Sequence, residues 1–488
     1  MSTPNATEMN LFQISPLGIF WKSLAIGCPL LFYAFLFSHN PHTQFSSDPF
    51  SPLQLKFPAS SSPNLSIHSP TNISHIGFIV ISSLKTWNTR NPYILSWWRP
   101  NLTRGFVFLD EQPTQEYLPW PSTSPPYQIN ENVSNLRIYP KLVSPVQVRM
   151  FRSLLDMYRV VGDGNKDLRW FMMCDDDTVL FVDNLVEILD KYDHSKYFYI
   201  GDNSECVGSN FYITFDMGYG GAGYALSYPL VELLATRLDA CIERYSHLHF
   251  SDHMAQSCLA DIGVALTIEK GIHQIDLQGD ISGLLSAHPQ SPLLSLHHFD
   301  FINPIFPSMD RYEATNHLMK AAKFDQSRLM QQTICYDKKR NWSFSVSWGY
   351  STHIYENTIP RSILRKPLET FKPWHGNANP PFYMFNTRSV TNDPCEAPHV
   401  FFFQSIEFDS ASKNHLLTTY FRASPRNLPP CSPDGNHSAD SISKIQVLSP
   451  ATTRKPAGVI ECCDVEYKAE MDSTEIVIRS CMKGEVVA

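Results

Sequence analysis

Three consecutive carboxylates, Asp175, Asp176 and Asp177, stand in the stretch Arg169-Trp-Phe-Met-Met-Cys-Asp-Asp-Asp-Thr-Val-Leu-Phe-Val-Asp183. Like charges this close repel unless a cation is shared among them. Hard oxygen ligands suit Mg²⁺ or Mn²⁺, and such an ion can in turn hold a diphosphate. The plainer reading is an acidic turn capping the following helix. Asp252, in Ser251-Asp252, opens a later helical pattern, either as its cap or as a general base presented from a helix start. His297 and His298 close the apolar run Leu293-Leu-Ser-Leu296, with His288 nearby in the chain. A lone histidine is usually structural, but two at a strand end are candidate ligands. Between these groups lies Gly218-Tyr-Gly-Gly-Ala-Gly-Tyr-Ala-Leu226. It lacks the Gly-Lys-Ser/Thr ending of a P-loop and the spacing of a dinucleotide fingerprint. Absent side chains there allow close backbone approach to a ligand, or a tight turn feeding the helix that follows.

Positioning these groups takes elements that the pattern marks out. Trp170 to Cys174 is apolar and too short for a helix, so it reads as a strand buried on both faces. Val182, Leu185, Val186 and Leu189 have helical spacing, with Asp183 placed to cap them. Upstream, Ile76–Ser82, Gly105–Leu109 and Leu136–Tyr139 read as strands, Asn91 to Trp98 as helix-like, and 145–161 as an amphipathic helix. Downstream, Tyr197–Ile200 reads as a strand, Tyr228–Arg237 as a helix, and Ala255, Cys258, Leu259 and Ile262 mark the inner face of a helix from Ser251. Strands alternating with helices predict an α/β domain with a mainly parallel sheet. Ligands of such sheets bind beyond the carboxyl ends of strands, where the acidic triplet sits. From Cys335 the texture changes: Trp342 to Trp348 alternates strictly, Phe371 to Phe385 is rich in aromatics and proline, and Gly458 to Val487 holds short β-like runs. Residues 335–488 therefore read as a β-rich, disulfide-braced module with no visible catalytic constellation.

At 488 residues the chain exceeds what one core usually holds. A hydrophobic share of 43% is globular, and a net charge of −8 without a basic stripe argues against nucleic acid as a partner. Residues 1–16 form a polar tail, expected to be cytosolic. Leu17 to Phe37 is apolar apart from Lys22 and a few small residues, long enough to cross a bilayer, and reads as a signal-anchor. A cleaved signal peptide fits less well, since Ser38-His39-Asn40-Pro41 is a poor cleavage site. Residues 38–72, rich in Pro and Ser, read as a stem that spaces the folded part, 73–334 and 335–488, from the membrane. Sequons at Asn64, Asn72, Asn101, Asn132, Asn341 and Asn436 suit a lumenal chain. Eleven cysteines without a CxxC pair point to disulfides in an oxidising compartment, with an odd one left over once Cys28 and Cys174 are set aside.

Together these pieces resemble the Fringe-related glycosyltransferases of family 31 type, in the β1,3-glycosyltransferase group that includes Fringe and core-1 galactosyltransferase. The resemblance rests on Arg169-Trp-Phe-Met-Met-Cys-Asp-Asp-Asp-Thr178, Tyr219-Gly-Gly-Ala-Gly-Tyr224, Ser251-Asp252 and Leu296-His-His298, in order. The plant branch, with an uncharacterised Fringe-like domain, also has counterparts of Trp87, Arg90, Trp97-Trp98-Arg99-Pro100 and Cys335-Tyr-Asp-Lys338. It implies a GT-A fold, with a Rossmann-like sheet binding a UDP-sugar with Mn²⁺ (or Mg²⁺), in a type II Golgi membrane protein. By the resemblance, Asp177 binds the metal with a late histidine, His298 being preferred and His297 held in reserve. Asp175 and Asp176 face the ribose and the metal's water shell, and Asp252 is the catalytic base. The second acid common beside that base is here His253. Gly220, Gly221, Ala222 and Gly223 would let the sugar lie against backbone. Arg90 is either a diphosphate or uracil contact or a surface helix arginine. The implied reaction is inverting transfer to a glycan or glycoprotein acceptor through a β1,3-type bond. The alternatives are a carbohydrate-binding protein that keeps the fold without turnover, and a metal-dependent hydrolase, for which no second set of carboxylates is evident.

Overall fold

Strand β1 (Ile76–Ile81) is buried at every position, as its unbroken apolar run requires. It pairs in parallel with β2 (Arg104–Leu109) on one side and β4 (Trp170–Asp175) on the other. Successive side chains take opposite faces, so Phe78 and Val80 join one apolar cluster while Ile79 and Ile81 join another. With β3 (Tyr127–Ile129), β6 (Tyr199–Gly201), β7 (Tyr224–Ser227) and β8 (Leu266–Ile268) the central sheet runs β3-β2-β1-β4-β7-β6-β8. Its pairings are parallel except that β7 is antiparallel to both neighbours. The computed structural model describes residues 69–161, 167–374, 379–412, 414–433, 435, 438–451, 461–468 and 471–485. The expected tail, anchor and all but the end of the stem lie outside the described residues, and among the described residues no helix is long and apolar enough to cross a membrane.

Both faces of the sheet are covered. Helices α1 (Leu84–Trp97) and α3 (Val182–Asp190) pack on one side through Trp87, Ile94, Trp97, Leu185 and Leu189. On the other lie α2 (Pro145–Val161), α5 (Tyr228–Ala235), α6 (Leu238–Arg244) and α7 (Ser251–Ile262), the last two joined by the Cys241–Cys258 disulfide. The short helix α4 (Val207–Tyr212) precedes β7. Three readings from sequence change. Helix α1 starts at Leu84 and not near Asn91, because Ser83 and Thr86 form a capping box. Pro92 lies inside it, and the Asn91 side chain donates to the carbonyls of Trp87 and Asn88, the latter being the one that Pro92 leaves without its helical donor. Leu136–Tyr139 is not a strand: it joins two short 3₁₀ turns, its Ile138 packs with α2, and Tyr127–Ile129 takes the third parallel position beside β2. Asp183 is not the cap of α3, a position held by Phe181; it forms a two-pronged ion pair with Arg99.

A small sheet, β5 (Val179–Leu180), β11 (Ser295–Leu296) and β9 (Ile272–His273), lies just beyond β4. Its neighbours in sequence are β10 (Leu277–Gly279) and α8 (Ser282–Ala287). Strand β10 pairs with β15 (Phe371–Pro373), which carries the next residue, Trp374, towards the first half of the chain. The second large sheet comprises β12 (Gln332–Asp337), β13 (Trp342–Ser347), β14 (Ser351–Tyr355), β16 (His399–Phe408), β17 (His415–Arg422), β18 (Lys444–Pro450), β19 (Glu461–Lys468) and β20 (Ser473–Ser480). Its order is β12-β13-β14-β16-β17-β18-β20-β19, and the Cys335–Cys463 disulfide ties β12 to β19, the first and last strands of that order. Disulfides Cys395–Cys431 and Cys462–Cys481 brace the same region, while Cys174 and Cys206 are buried and free. One apolar cluster includes Phe78, Trp97 and Trp170 together with Trp342, Phe403 and Ile478. Residues on either side of position 334 thus share a core, and 69–488 is one unit.

Candidate active site

The carboxyl end of β4 is where the three acids separate. Asp176 turns towards the start of α1 and accepts from Ser82 Oγ at 2.6 Å, Thr86 Oγ1 at 2.7 Å and Arg90 Nη1 at 3.0 Å. Asp177 is 1% exposed; its Oδ1 lies 3.1 Å from His297 Nε2 and 3.6 Å from Arg90 Nη1, and its Oδ2 has no hydrogen-bond partner. Burial would raise the Asp177 carboxyl, but His297, Arg90 and His298 outweigh it and hold the group well below the usual carboxylate range. Asp175 is half-buried, and burial with Asp177 and Asp252 close by pushes its carboxyl up. Arg90 also donates through Nε to Asp300 at 2.6 Å, and Tyr93 donates to the other oxygen of that carboxylate at 2.9 Å. Its guanidinium is therefore a clamp across Asp176, Asp177 and Asp300, and it does not line the cavity described below.

The two histidines part company. Strand β11 pairs Leu296 with Val179 and with His273, which delivers His297 beside Asp177. His298 takes a left-handed backbone, φ 63°, which leaves its ring 4.0 Å from that of His297 but aims its Nδ1 away from the acidic triplet. Its ring stacks on Trp374 at a centroid distance of 4.7 Å, and Nδ1 faces two acceptors, Asp276 Oδ1 at 3.1 Å and the Ile275 carbonyl at 3.2 Å, so that nitrogen donates. It is His297, held in reserve on sequence, that closes on the acids: Asp175, Asp177 and His297 each offer a ligand atom within 4.8 Å of the others. Asp177 Oδ2 is buried without a partner, which is expensive unless a cation satisfies it, and the His297 nitrogen facing the acids is Nε2. Two imidazole or carboxylate groups and a half-exposed acid are a donor set that Mn²⁺ or Mg²⁺ fits.

The glycine loop runs between this cluster and Asp252. The Gly220 N–H donates to Asp252 Oδ2 at 2.9 Å, and Thr178 Oγ1 donates to the Gly221 carbonyl at 2.6 Å. A Cβ at Gly220 would lie 2.3 Å from Asp252 Oδ1, and one at Gly221 would lie 2.2 Å from His297 Cε1. The missing side chains thus make room for a carboxylate and an imidazole of the protein itself. Ala222 is fully buried against Ile272 and Leu294, and Gly223 is needed for its φ of 99° over Met172 and Met173. Only Gly220 and Gly221 of the four line the cavity.

Asp252 stands in the first turn of α7, whose cap position is Phe250, so its carboxylate is spare for other work. Burial, with a smaller contribution from Asp276, raises it to about 6, while the Gly220 N–H and the Ser251 hydroxyl pull the other way. His253, next along, does not line the cavity. That cavity, about 420 Å³, has Asp175, Asp252 and His297 on its polar side and Tyr212, Phe250 and Trp374 on its aromatic side. It can hold a substrate between a carboxylate base and a metal-competent cluster. Sequence reasoning missed Trp374, which comes from the module thought to hold nothing catalytic, and Asp276 and Asp300. Asp300, two positions after His298, had a local signal; Trp374 had none.

A family model described as Fringe-like matches residues 71–290, and one described as "Protein of unknown function, DUF604" matches 209–463. No curated protein matches the chain. Among solved structures it is similar to core-mannan synthase A of Aspergillus fumigatus in a Mn/GDP form, at 10% identity over 48% of this chain and 82% of that one, with a TM-score of 0.26, too slight a likeness to carry an argument. The α/β sheet with acids at the end of a parallel strand, the β-rich second sheet and the family matches agree, and the second match spans more than half of the chain: it belongs to the DUF604 family and is a Fringe-related glycosyltransferase.

Proposed function

We propose that this chain transfers a sugar from a UDP-sugar to a hydroxyl of a glycan or glycoprotein acceptor, with inversion and a β1,3-type linkage. The observation that carries the reading is that Asp252 and the Asp175–His297 side of the acidic cluster line one cavity. In that arrangement Asp252 accepts the proton of the acceptor hydroxyl as its oxygen forms a bond to the anomeric carbon and the bond to the UDP oxygen breaks. General-base help of this kind is worth about 10²–10⁴-fold in rate. A carboxylate near 6 is mostly ionised at neutral pH yet a stronger base than an ordinary aspartate. Asp177, Asp175 and His297 would hold Mn²⁺ or Mg²⁺, which when bound supplies Lewis-acid stabilisation to the departing diphosphate. Asp176 and Arg90 keep the acids in place, and Gly220 orients the base through its N–H.

Residues 17–37 would anchor the protein in the Golgi membrane with 38–72 as stem and the rest lumenal. Exposure of Asn72, Asn101, Asn132 and Asn341 supports this, as do the four disulfides. Asn64 and Asn436 lie outside the described residues. The test is a panel of UDP-sugars with Mn²⁺ and candidate glycans, scored for UDP release and for the linkage formed. Asp252→Asn is expected to abolish transfer with UDP affinity nearly intact. Glycan binding that needs neither UDP nor a divalent ion, with no UDP released from any donor, would instead mean a lectin-like protein.

A further inference from the structure

A second cavity, about 410 Å³, is lined in part by Ser204 and Glu205, and no residue of the candidate active site lines it. In its wall Glu205, His273 and His288 each offer a ligand atom within 4.8 Å of the others. Three different elements bring them together: the loop after β6, strand β9 and the end of α8. Glu205 is held from behind, its Oε2 accepting the Ile275 N–H at 2.7 Å, while Oε1 sits 2.8 Å from His273 Nδ1. His273 is 4% exposed, and its Nε2 is buried with no hydrogen-bond partner. A carboxylate oxygen and an imidazole nitrogen 2.8 Å apart can also sit side by side on one ion, so Glu205 Oε1 and His273 Nδ1 are the pair that could bind together, while Nε2 lies on the far edge of the ring. The His288 ring rests on Phe385 at 4.1 Å and meets His273 edge-on at 5.5 Å, and it makes no hydrogen bond to any described residue.

We propose that Glu205, His273 and His288 form a Zn²⁺ site, separate from the acidic triplet, with its open coordination position facing the second cavity. Two imidazoles and one carboxylate with a vacant fourth position is a donor set that zinc takes readily, whereas Mn²⁺ is the weaker competitor for nitrogen ligands. Asp202, pushed up to about 7 by burial, and Lys270 stand at the same cavity and give the open position polar company. The site also bears on the catalytic cavity. Ser204, adjacent to Glu205, donates to Asp276 at 2.6 Å, and Asp276 is the carboxylate facing His298. An ion pinning Glu205 therefore fixes the far end of that chain of contacts.

The test is zinc stoichiometry of the purified chain after chelation, reloading with ZnCl₂ and desalting, read by elemental analysis and by calorimetry. Wild type and Asp177→Ala are each expected to retain one zinc per chain. His288→Phe keeps the ring against Phe385 but removes the ligand nitrogen, and it is expected to weaken zinc binding by more than the roughly 10–100-fold that an outer-sphere change costs. Glu205→Gln, a second variant, is expected to weaken zinc as well. Thermal unfolding of the chelated proteins checks that His288→Phe folds like wild type, and added zinc is expected to raise the midpoint of wild type only. Zinc retained equally by His288→Phe, absent from wild type, or lost in Asp177→Ala would each overturn the assignment.

Discussion

Gly221→Ala isolates what the glycine loop does. The position needs no left-handed backbone, so the added methyl acts by volume alone. It would meet His297 Cε1 at 2.2 Å, Nδ1 at 2.6 Å and Nε2 at 2.8 Å, where ordinary contact starts near 3.4 Å. His297 is 3% exposed and lines the 420 Å³ cavity, so ring and loop part by about 1 Å with the ring displaced towards that space. The 3.1 Å approach of Nε2 to Asp177 is lost in that movement. Overpacking of this kind costs about 1–3 kcal/mol of stability. Misplacing a reacting group by about 1 Å costs about 10²-fold in rate. The expected outcome is a folded protein with a modestly lower unfolding midpoint, markedly weaker Mn²⁺ binding by calorimetry, and UDP-sugar turnover down about 10²-fold. Gly220→Ala is the control, because its methyl would press on Asp252 Oδ1 at 2.3 Å and leave His297 alone. It should keep Mn²⁺ affinity and lose turnover. A Gly221→Ala protein with wild-type Mn²⁺ affinity would refute the view that this loop spaces the histidine from the base.

The raised Asp252 carboxyl makes kcat/KM fall as pH drops through about 6, where the base becomes protonated. Its folded value lies above the unfolded one, so the shift favours folding below about pH 4 and that benefit is gone above about 6. Asp252→Asn should therefore be more stable than wild type at pH 7.5, by on the order of 2 kcal/mol, with the difference vanishing in acid; equal midpoints at pH 7.5 would contradict the burial argument. Arg90→Met removes the cation shared by Asp176, Asp177 and Asp300 and should destabilise the fold by about 3–5 kcal/mol, partly restored by Mn²⁺. If that variant instead melts normally and only loses UDP affinity, Arg90 is a diphosphate ligand and not a clamp. Trp374→Ala takes away the ring stacked on His298 and one wall of the cavity, and a KM increase of about 3–10-fold with folding intact is expected from kinetics on the best donor.

What could be read from sequence was what local pattern determines. The 145–161 helix and the Trp170–Asp175 strand follow from apolar spacing, and both form with those bounds or within a residue of them. The acidic triplet stands out in the sequence because adjacent carboxylates are costly to hold together without a cation, and Asp252 as an acid opening a helix; the structure brings Asp175 and Asp252 to one cavity. The choice between His297 and His298 was not legible there, since their rings lie 4.0 Å apart and only the positive φ of His298 aims its Nδ1 at Asp276 and away from the triplet. The roles of Gly220 and Gly221 depend on Asp252 and His297, and that of Trp374 on His298, all of them contacts made far along the chain. The Leu136–Tyr139 segment has strand-like residues, yet Pro140 follows directly and the sheet edge is already taken by β3.

The bond between Cys335 and Cys463 closes a loop of 128 residues and unites the two outermost strands of the second sheet. During synthesis, Cys335 of strand β12 must wait for its partner, 128 positions later, to emerge. The wait is shared by the first half of the fold, because Trp97 and Trp170 belong to one apolar cluster with Trp342, Phe403 and Ile478. Contacts of such long sequence separation form late and slowly. A nascent chain halted before residue 463 therefore presents a large sticky face to chaperones. Maturation of the cleft thus depends on residues synthesised long after it.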